Sequence, residues 1–365
     1  MQNIAYYITP HGFGHAIRSL EVIRQLLAGN WGFRITVVSD IPEFLVKQCV
    51  GRALPFRRRR LDVGLVQKDS VRFDLEATQK ALESLYRNHA RLIAEEVSFF
   101  REASIQGIVS DIAFLPFYAA SQHQIPGIGL GNFTWDWIYQ SYARSDSSWE
   151  PLIAWIREGY GRCGLLLQLP MHGDCSSCPS VRDVPLVARR AARKPQETLA
   201  LLGCDPQKRH YLISFSELNL TGDALRRLER ISDAVFFTKH PLEFRFANGR
   251  SLDAFTLSYP DVVAAMDGVI TKPGYGIVSD CLAHGAPMVY TDRGPFPEYE
   301  ILVREIKLHL ANAYLPSEDL YAGFWEGALR EVANQPRRYP QIRNDGAAVC
   351  AQLIKDALKG RNNVC

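Results

Sequence analysis

No stretch of this 365-residue chain approaches the ~18–20 uninterrupted apolar residues that a membrane-spanning helix needs. An excess of one charge sign is equally missing. The 42 basic and 39 acidic residues leave a formal charge of +3, so net charge does not mark a nucleic-acid binder, and none is expected as partner. There is no G-x-x-x-x-G-K-[ST] run, which excludes a P-loop nucleotide hydrolase. Neither HExxH nor G-x-S-x-G occurs, which removes the helix-borne zinc hydrolases and the α/β-hydrolases. The opening residues MQNIAYYITP carry no basic n-region and only a very short apolar stretch. No secretory leader is therefore expected, and the expected location is the cytoplasm.

What is present is ordinary globular usage, 47% apolar and 22% charged, over a length that suggests about two domains. The 8 cysteines are scattered, and in a reducing compartment they read as free thiols. Cys175-Ser-Ser-Cys178 has zinc or redox spacing. It lacks a second pair, and His172 is its only nearby imidazole, so inert loop thiols are the expectation.

The hydrophobic pattern alternates between strands and helices. NIAYYIT (3–9) reads as a buried strand, followed by the turn Pro10-His-Gly-Phe-Gly-His15. Apolar residues at 17, 20, 23, 26 and 27 then mark a helix that stops at Gly29, and FRITVVSD (33–40) is the next strand. This β-loop-α-β order opens a parallel, doubly wound sheet. A long helix over 74–103, a strand at 107–111, a helix at 116–124 and a strand at 125–131 continue it. Near 170–210 prolines, small polar residues and clustered arginines change the texture. The pattern then restarts with strands at 210–216, 234–240, 268–274 and 286–292, separated by helices. The expected organisation is an N-terminal domain (1–185), a linker (186–207), a second α/β domain (208–344) and a C-terminal helix within 345–365.

Three turns could carry chemistry. In the first, Gly12 and Gly14 let a ligand approach the backbone, while His11 and His15 flank the turn. Pro10 stands where a dinucleotide fingerprint needs glycine. The second, Lys272-Pro-Gly274-Tyr275-Gly276, joins a strand to a helix and reads as a phosphate site of backbone N–H groups plus a cation. In the third, Glu298 and Glu300 follow a strand end; they could accept from sugar hydroxyls or merely favour a helix N-terminus. Asp111 ends a strand, and Asp136 lies in the aromatic run Phe133-Thr-Trp-Asp-Trp137. The run Arg57–Arg60 reads as a solvated loop or edge, with a phosphate-bearing acceptor or an anionic membrane surface as the rival role.

The segments AYYITPHGFGHAIRSLEVIRQL, GNFTWDWIYQSYA, LQLPMHGDC, VRDVPLVARRAARK and ITKPGYGIVSDCLAHGAPMVYTDRGPFPEYEILVRE together resemble the glycosyltransferase-like N-terminal region of plant-type L-arabinokinases. More distantly the chain is similar to GT-B glycosyltransferases, including the N-acetylglucosaminyltransferase that forms lipid II. The resemblance implies two Rossmann-like domains, an N-terminal one for an acceptor and a C-terminal one for a nucleotide sugar, with UDP the expected carrier. It implies His15 as base with Asp111 in reserve. Lys272, Gly274, Tyr275 and Gly276 would bind the donor diphosphate, aided by Ser214 and Ser216. Glu298 would hold donor ribose or sugar. The nucleotide base would lie near Thr238–Pro241, including His240, and near Pro260–Val262. His11, Gly12, Gly14 and Asp136 fall on the acceptor side. No D-x-D occurs, so metal-independent transfer without a cofactor is expected, and no ATP loop of the sugar-kinase kind is found. A UDP-N-acetylhexosamine epimerase or hydrolase, or a non-catalytic nucleotide-sugar binder, are the alternatives.

Overall fold

The computed structural model describes residues 1–68, 71–239, 242, 246–252 and 257–360. The chain divides into two compact units. Unit 1 is Met1–Val66, Asp74–Ala188 and Arg343–Cys365; unit 2 is Gln67–Phe73 and Arg189–Ile342.

Unit 1 begins with β1 (Gln2–Ile8), α1 (Phe13–Ala28), β2 (Phe33–Ser39), α2 (Glu43–Val50) and β3 (Phe56–Arg58). A two-stranded ribbon, β4 (Val66–Gln67) with β5 (Phe73–Asp74), leads into α3 (Leu75–Glu102). There follow β6 (Ile105–Asp111), α4 (Leu115–Gln122), β7 (Gly127–Gly131), α5 (Trp135–Ala143), α6 (Glu150–Tyr160), β8 (Leu165–Gln168) and β9 (Val181–Asp183). The seven-stranded sheet runs β3-β2-β1-β6-β7-β8-β9, and every pairing is parallel. A parallel sheet is covered on both faces, which is why Ile4 to Ile8 are all buried rather than alternating. Asp74 starts α3 by accepting the Ala77 N–H at 2.9 Å, a side-chain cap on one of the helix's orphan donors.

The arginine run is solvated on one side only: β3 is an edge strand, and Arg58 and Arg60 are exposed. Strand alternation turns Arg57 and Arg59 toward α3, where the buried Glu96 accepts from Arg57 at 2.7 Å and from Arg59 at 3.1 Å. Arg59 also pairs with Glu95. Tyr7 donates its hydroxyl to Glu96 at 2.7 Å. Burial, and then the Glu96 charge, push the Tyr7 phenol well above its ordinary range, so it remains a donor. Arg58 points the other way, 3.7 Å from Asp40. Cys163, Cys175 and Cys178 are buried as free thiols. Burial raises the Cys175 thiol to about 12, which does not suit a redox nucleophile.

Unit 2 contains α7 (Pro195–Leu201), inside the stretch read as linker, then β10 (Arg209–Ser214), α8 (Gly222–Glu229), β11 (Ala234–Lys239), β12 (Gly249–Leu252) and α9 (Tyr259–Ala265). It continues with β13 (Gly268–Thr271), α10 (Tyr275–His284), β14 (Met288–Tyr290), α11 (Glu298–His309), β15 (Asn312–Tyr314), α12 (Ser317–Ala322) and α13 (Glu326–Ala333). Its six-stranded parallel sheet runs β12-β11-β10-β13-β14-β15. Tyr211, Phe236 and the fully buried Trp325 centre its core, and the Trp325 indole donates to the Leu320 carbonyl at 2.8 Å.

The chain then returns to unit 1 as α14 (Gly346–Lys359), which buries Cys350, Ala351, Ile354 and Leu358. Gly346 starts this helix against the backbone of Pro185 and Leu186. A Cβ there would lie 2.0 Å from the Pro185 carbonyl oxygen. Backbone cannot swing aside as a side chain can, so Gly346→Ala is expected to cost about 1–3 kcal/mol. The check is the chemical midpoint of unfolding; an unchanged midpoint would mean that the helix start slides freely on that loop.

Candidate functional site

In both sheets the strand order reverses at one point, β1/β6 in unit 1 and β10/β13 in unit 2. Connections on the two sides of such a reversal leave in opposite directions, opening a crevice at the carboxyl ends of the strands. The candidate residues gather at these two places.

In unit 1 the chain leaves β1 through Gly12, whose φ of 99° and ψ of 150° are open to glycine and strained for any other residue. This turn launches α1, and His15 projects from its first turn. Ile8 lies in register with Asp111 at the end of β6, so the turn and Asp111 flank the reversal. His15 Nδ1 is 2.9 Å from Asp111 Oδ1. Arg18, three residues along the same helix, grips both carboxylate oxygens, Nε to Oδ2 at 2.8 Å and Nη2 to Oδ1 at 2.7 Å. Ser19 donates to Oδ2 at 2.6 Å, and Arg18 Nη1 donates to Asn132 Oδ1 at 2.7 Å. Arg18 and Asp111 are 3% and 0% exposed. Burial alone would raise the Asp111 pKa. The Arg18 charge, then His15, outweigh it and hold the carboxyl well below the usual range.

A second imidazole–carboxylate pair stands beside the first. His11 Nε2 is 3.2 Å from Asp62 Oδ1, and the Trp135 indole donates to Asp62 Oδ2 at 3.1 Å. Burial raises the Asp62 pKa, but His11 beside it, then hydrogen bonds that include the Trp135 indole, lower it further, leaving a net downward shift. The His11 ring meets Trp135 edge-on at 5.6 Å, Trp135 meets Phe133 at 5.3 Å, and Phe133 meets the His15 ring at 5.9 Å. The aromatic run thus forms a wall under both histidines. Gly64 is held to glycine by this packing, since a Cβ would lie 2.4 Å from the His11 ring. Asp136 is not brought to the histidines. It is buried, accepting from Ser177 at 2.6 Å and from Arg157 at 3.2 Å.

In unit 2, Ser214 and the 272–276 turn flank the reversal. Thr271 Oγ1 donates to the Ser214 carbonyl at 2.7 Å, and the Ser214 and Tyr259 hydroxyls are hydrogen-bonded at 2.5 Å. Ser216 is exposed. Gly274 caps α10 in ordinary extended backbone, with nothing nearer a built Cβ than Arg293 Nη1 at 3.9 Å. Neither conformation nor crowding requires glycine there. The first turn of α10 has no side-chain cap and no acidic residue. Tyr275 is buried in that turn, and Lys272 precedes it. Arg293 Nη1 donates to the Pro273 carbonyl and to Glu298 Oε2, both at 2.8 Å. Glu298 is buried, so it ties Arg293 to this turn, while Glu300 is exposed on α11. A cavity of about 230 Å³ opens nearby, lined by Phe237, Lys239, Arg250, Tyr259 and Val262 among others. His240 lies outside the described residues. Among the described residues, no three His, Cys, Asp or Glu side chains are placed to share a metal ion. No helix among them is long and apolar enough to cross a membrane.

Arg18, Ser19, Asn132 and Asp62 are the members that sequence reasoning does not pick out. Arg18 had a local signal. It sits i+3 from His15 and inside the apolar stripe of an amphipathic helix, where an arginine needs a buried partner. Asp62 has none, because only the fold brings it to His11.

No family model matches the chain. L-arabinokinase of Arabidopsis thaliana is 30% identical over 368 residues, covering 98% of this chain and 34% of that protein. The chain thus spans about a third of that relative's length. Among solved structures, the calicheamicin glycosyltransferase CalG4 is 17% identical, with 99% of each chain covered and a TM-score of 0.65. A UDP-glucosyltransferase from Polygonum tinctorium is 13% identical, with 98% of each chain covered and a TM-score of 0.62. UGT2 of Phytolacca americana, solved with UDP-2fluoro-glucose and pterostilbene, is 13% identical, covering 98% of this chain and 95% of that one, with a TM-score of 0.61. The chain carries the GT-B glycosyltransferase fold, two Rossmann-like units, and resembles L-arabinokinase along nearly its whole length.

Proposed function

We propose that the protein transfers a sugar from a nucleotide-diphosphate donor, UDP-linked, to an acceptor hydroxyl. The observation that carries this is the His15–Asp111 pair at one strand reversal, with an uncapped, acid-free helix start and a lysine at the other. Asp111 has only acceptor oxygens when ionised, so His15 donates Nδ1–H to it and takes the acceptor proton on Nε2. Arg18 Nη2 lies 2.9 Å from His15 Nδ1 because both donate to the same Asp111 oxygen. Asp111 is fully buried and spoken for at both oxygens. Its role here is to orient and stabilise the imidazolium, not to act as reserve base.

As the proton leaves, the acceptor oxygen bonds to the anomeric carbon. The bond from that carbon to the diphosphate breaks with its electron pair on oxygen. That charge is met by the N–H groups at the start of α10, with Lys272 adding a cation. The nucleotide base takes the cavity beside Tyr259, whose ~230 Å³ suits a flat ring rather than a whole drug-sized ligand.

The test is titration with UDP, GDP, ADP and TDP sugars in EDTA, following melting temperature and nucleotide release. UDP binding without metal, and release that depends on added acceptor, is the expected result. Release that ignores acceptor would favour an epimerase or hydrolase. Binding with no release under any acceptor would favour a nucleotide-sugar sensor.

A further inference from the structure

Three of the four arginines at 57–60 face carboxylates: Arg57 and Arg59 on Glu96, Arg58 toward Asp40. Arg60 has no carboxylate within ion-pair distance among the described residues, and it is exposed. It follows β3, whose carboxyl end lies on the same side of the parallel sheet as the turn after β1. Its partner is His11: Arg60 Nη2 is 3.3 Å from His11 Nδ1. A guanidinium only donates, so His11 Nδ1 accepts here, while Nε2 stands 3.2 Å from Asp62 Oδ1, in contact but not aligned as a hydrogen bond. Asp62 is buried, with its second oxygen on the Trp135 indole. A line of contacts from the core therefore ends on an exposed cation. Such a fork, held before its ligand arrives, loses less freedom on binding than a free surface arginine. His11 itself stands on the aromatic wall that also carries His15, each ring-to-ring step under 6 Å.

We infer that Arg60, positioned by His11 on Asp62, anchors an anionic group of the acceptor, a phosphate ester or a carboxylate on a hydroxylated molecule. The geometry matches what planar, charged oxygens need: a fork of N–H donors at the rim, open to solvent on one side and backed by a fixed imidazole. Naming that ligand the acceptor rests on the transfer reading; the anion site itself does not.

The test is calorimetric titration of the full chain with glucose 6-phosphate, glucuronate and glucose. UDP is present throughout, so that the unit 2 turn is occupied. Glucose 6-phosphate or glucuronate should bind and glucose should not, with the tighter of the two anions naming the group. Binding should weaken with added salt. Arg60→Gln should weaken the anion by about tenfold or more, the scale of one lost charge-assisted hydrogen bond. Arg60→Lys should recover part of it. Equal binding to wild type and Arg60→Gln, or glucose binding as tightly as both anions, would overturn the inference. Arg60-dependent anion binding in a protein that ignores every nucleotide sugar would uphold this site and remove the transfer reading. Nucleotide binding with neither anion bound would do the reverse.

Discussion

His15→Ala is expected to lower sugar transfer by about 10²–10⁴-fold, the contribution of a positioned general base, while nucleotide binding stays as it was. The separation follows from the placement of the parts. His15 belongs to the β1/β6 reversal of unit 1, whereas the diphosphate is assigned to the turn before α10 in unit 2. Asp111→Asn should lose nearly as much rate. An amide can present its N–H to His15 Nδ1, which favours the tautomer with the proton on Nε2, where the base is needed. Single-turnover rates and UDP titration on the same preparations would check both. Loss of nucleotide binding in His15→Ala, or a rate within a few-fold of wild type, would remove the base assignment.

Arg18→Met should show the largest loss of stability, about 3 kcal/mol at neutral pH, or roughly 6–12 °C in melting temperature. The methionine fills much of the volume, so the loss is mainly electrostatic: Asp111 is fully buried and would keep only His15 and Ser19. The sign with pH is fixed by the Asp111 shift. In the wild type its folded pKa lies below the unfolded value of about 3.9, so its stabilisation is present above pH ~4. That stabilisation is lost as pH falls through the folded value. In the variant, burial is no longer opposed by the guanidinium, the folded pKa rises, and the carboxylate is penalised at neutral pH. Acid relieves that penalty, so the gap between the two proteins should narrow from pH 7 toward pH 3. A gap constant across that range would mean that Arg18 acts by packing alone.

The architecture was legible because its signals are local. Continuous apolar strands, helices with 3.6-residue stripes and glycine-punctuated turns each occupy a few consecutive residues. Strands 3–9, 210–216 and 268–274 were read within a few residues of β1, β10 and β13. β9 left no such trace, since Val181–Asp183 is an exposed edge strand with no apolar face to betray it. At the sites, individual residues were legible and their partnerships were not. His15 and Asp111 each stood out, but their pairing spans 96 positions and depends on strand register. Arg57 and Arg59 read as solvated like Arg58 and Arg60, because composition cannot see a buried Glu96 from a helix nearly forty residues later. Glu298 stands out as a ligand for sugar; its ion pair with Arg293, five residues before it, needs the turn geometry of the fold to be seen.

The return of α14 to unit 1 has a bearing on how this protein is made. The ribosome delivers the first 188 residues, then the main run of unit 2, and only then the helix whose Cys350, Ala351, Ile354 and Leu358 cover α1 and its neighbours. Until those last turns emerge, the part of α1 that packs on α14 has no cover. The nascent first half therefore waits, incomplete and adhesive, through the synthesis of more than 150 further residues. A clone cut after Ala188 would freeze the chain at that stage. One that carries α14, even rejoined by a short tether in place of unit 2, would let the first half finish folding.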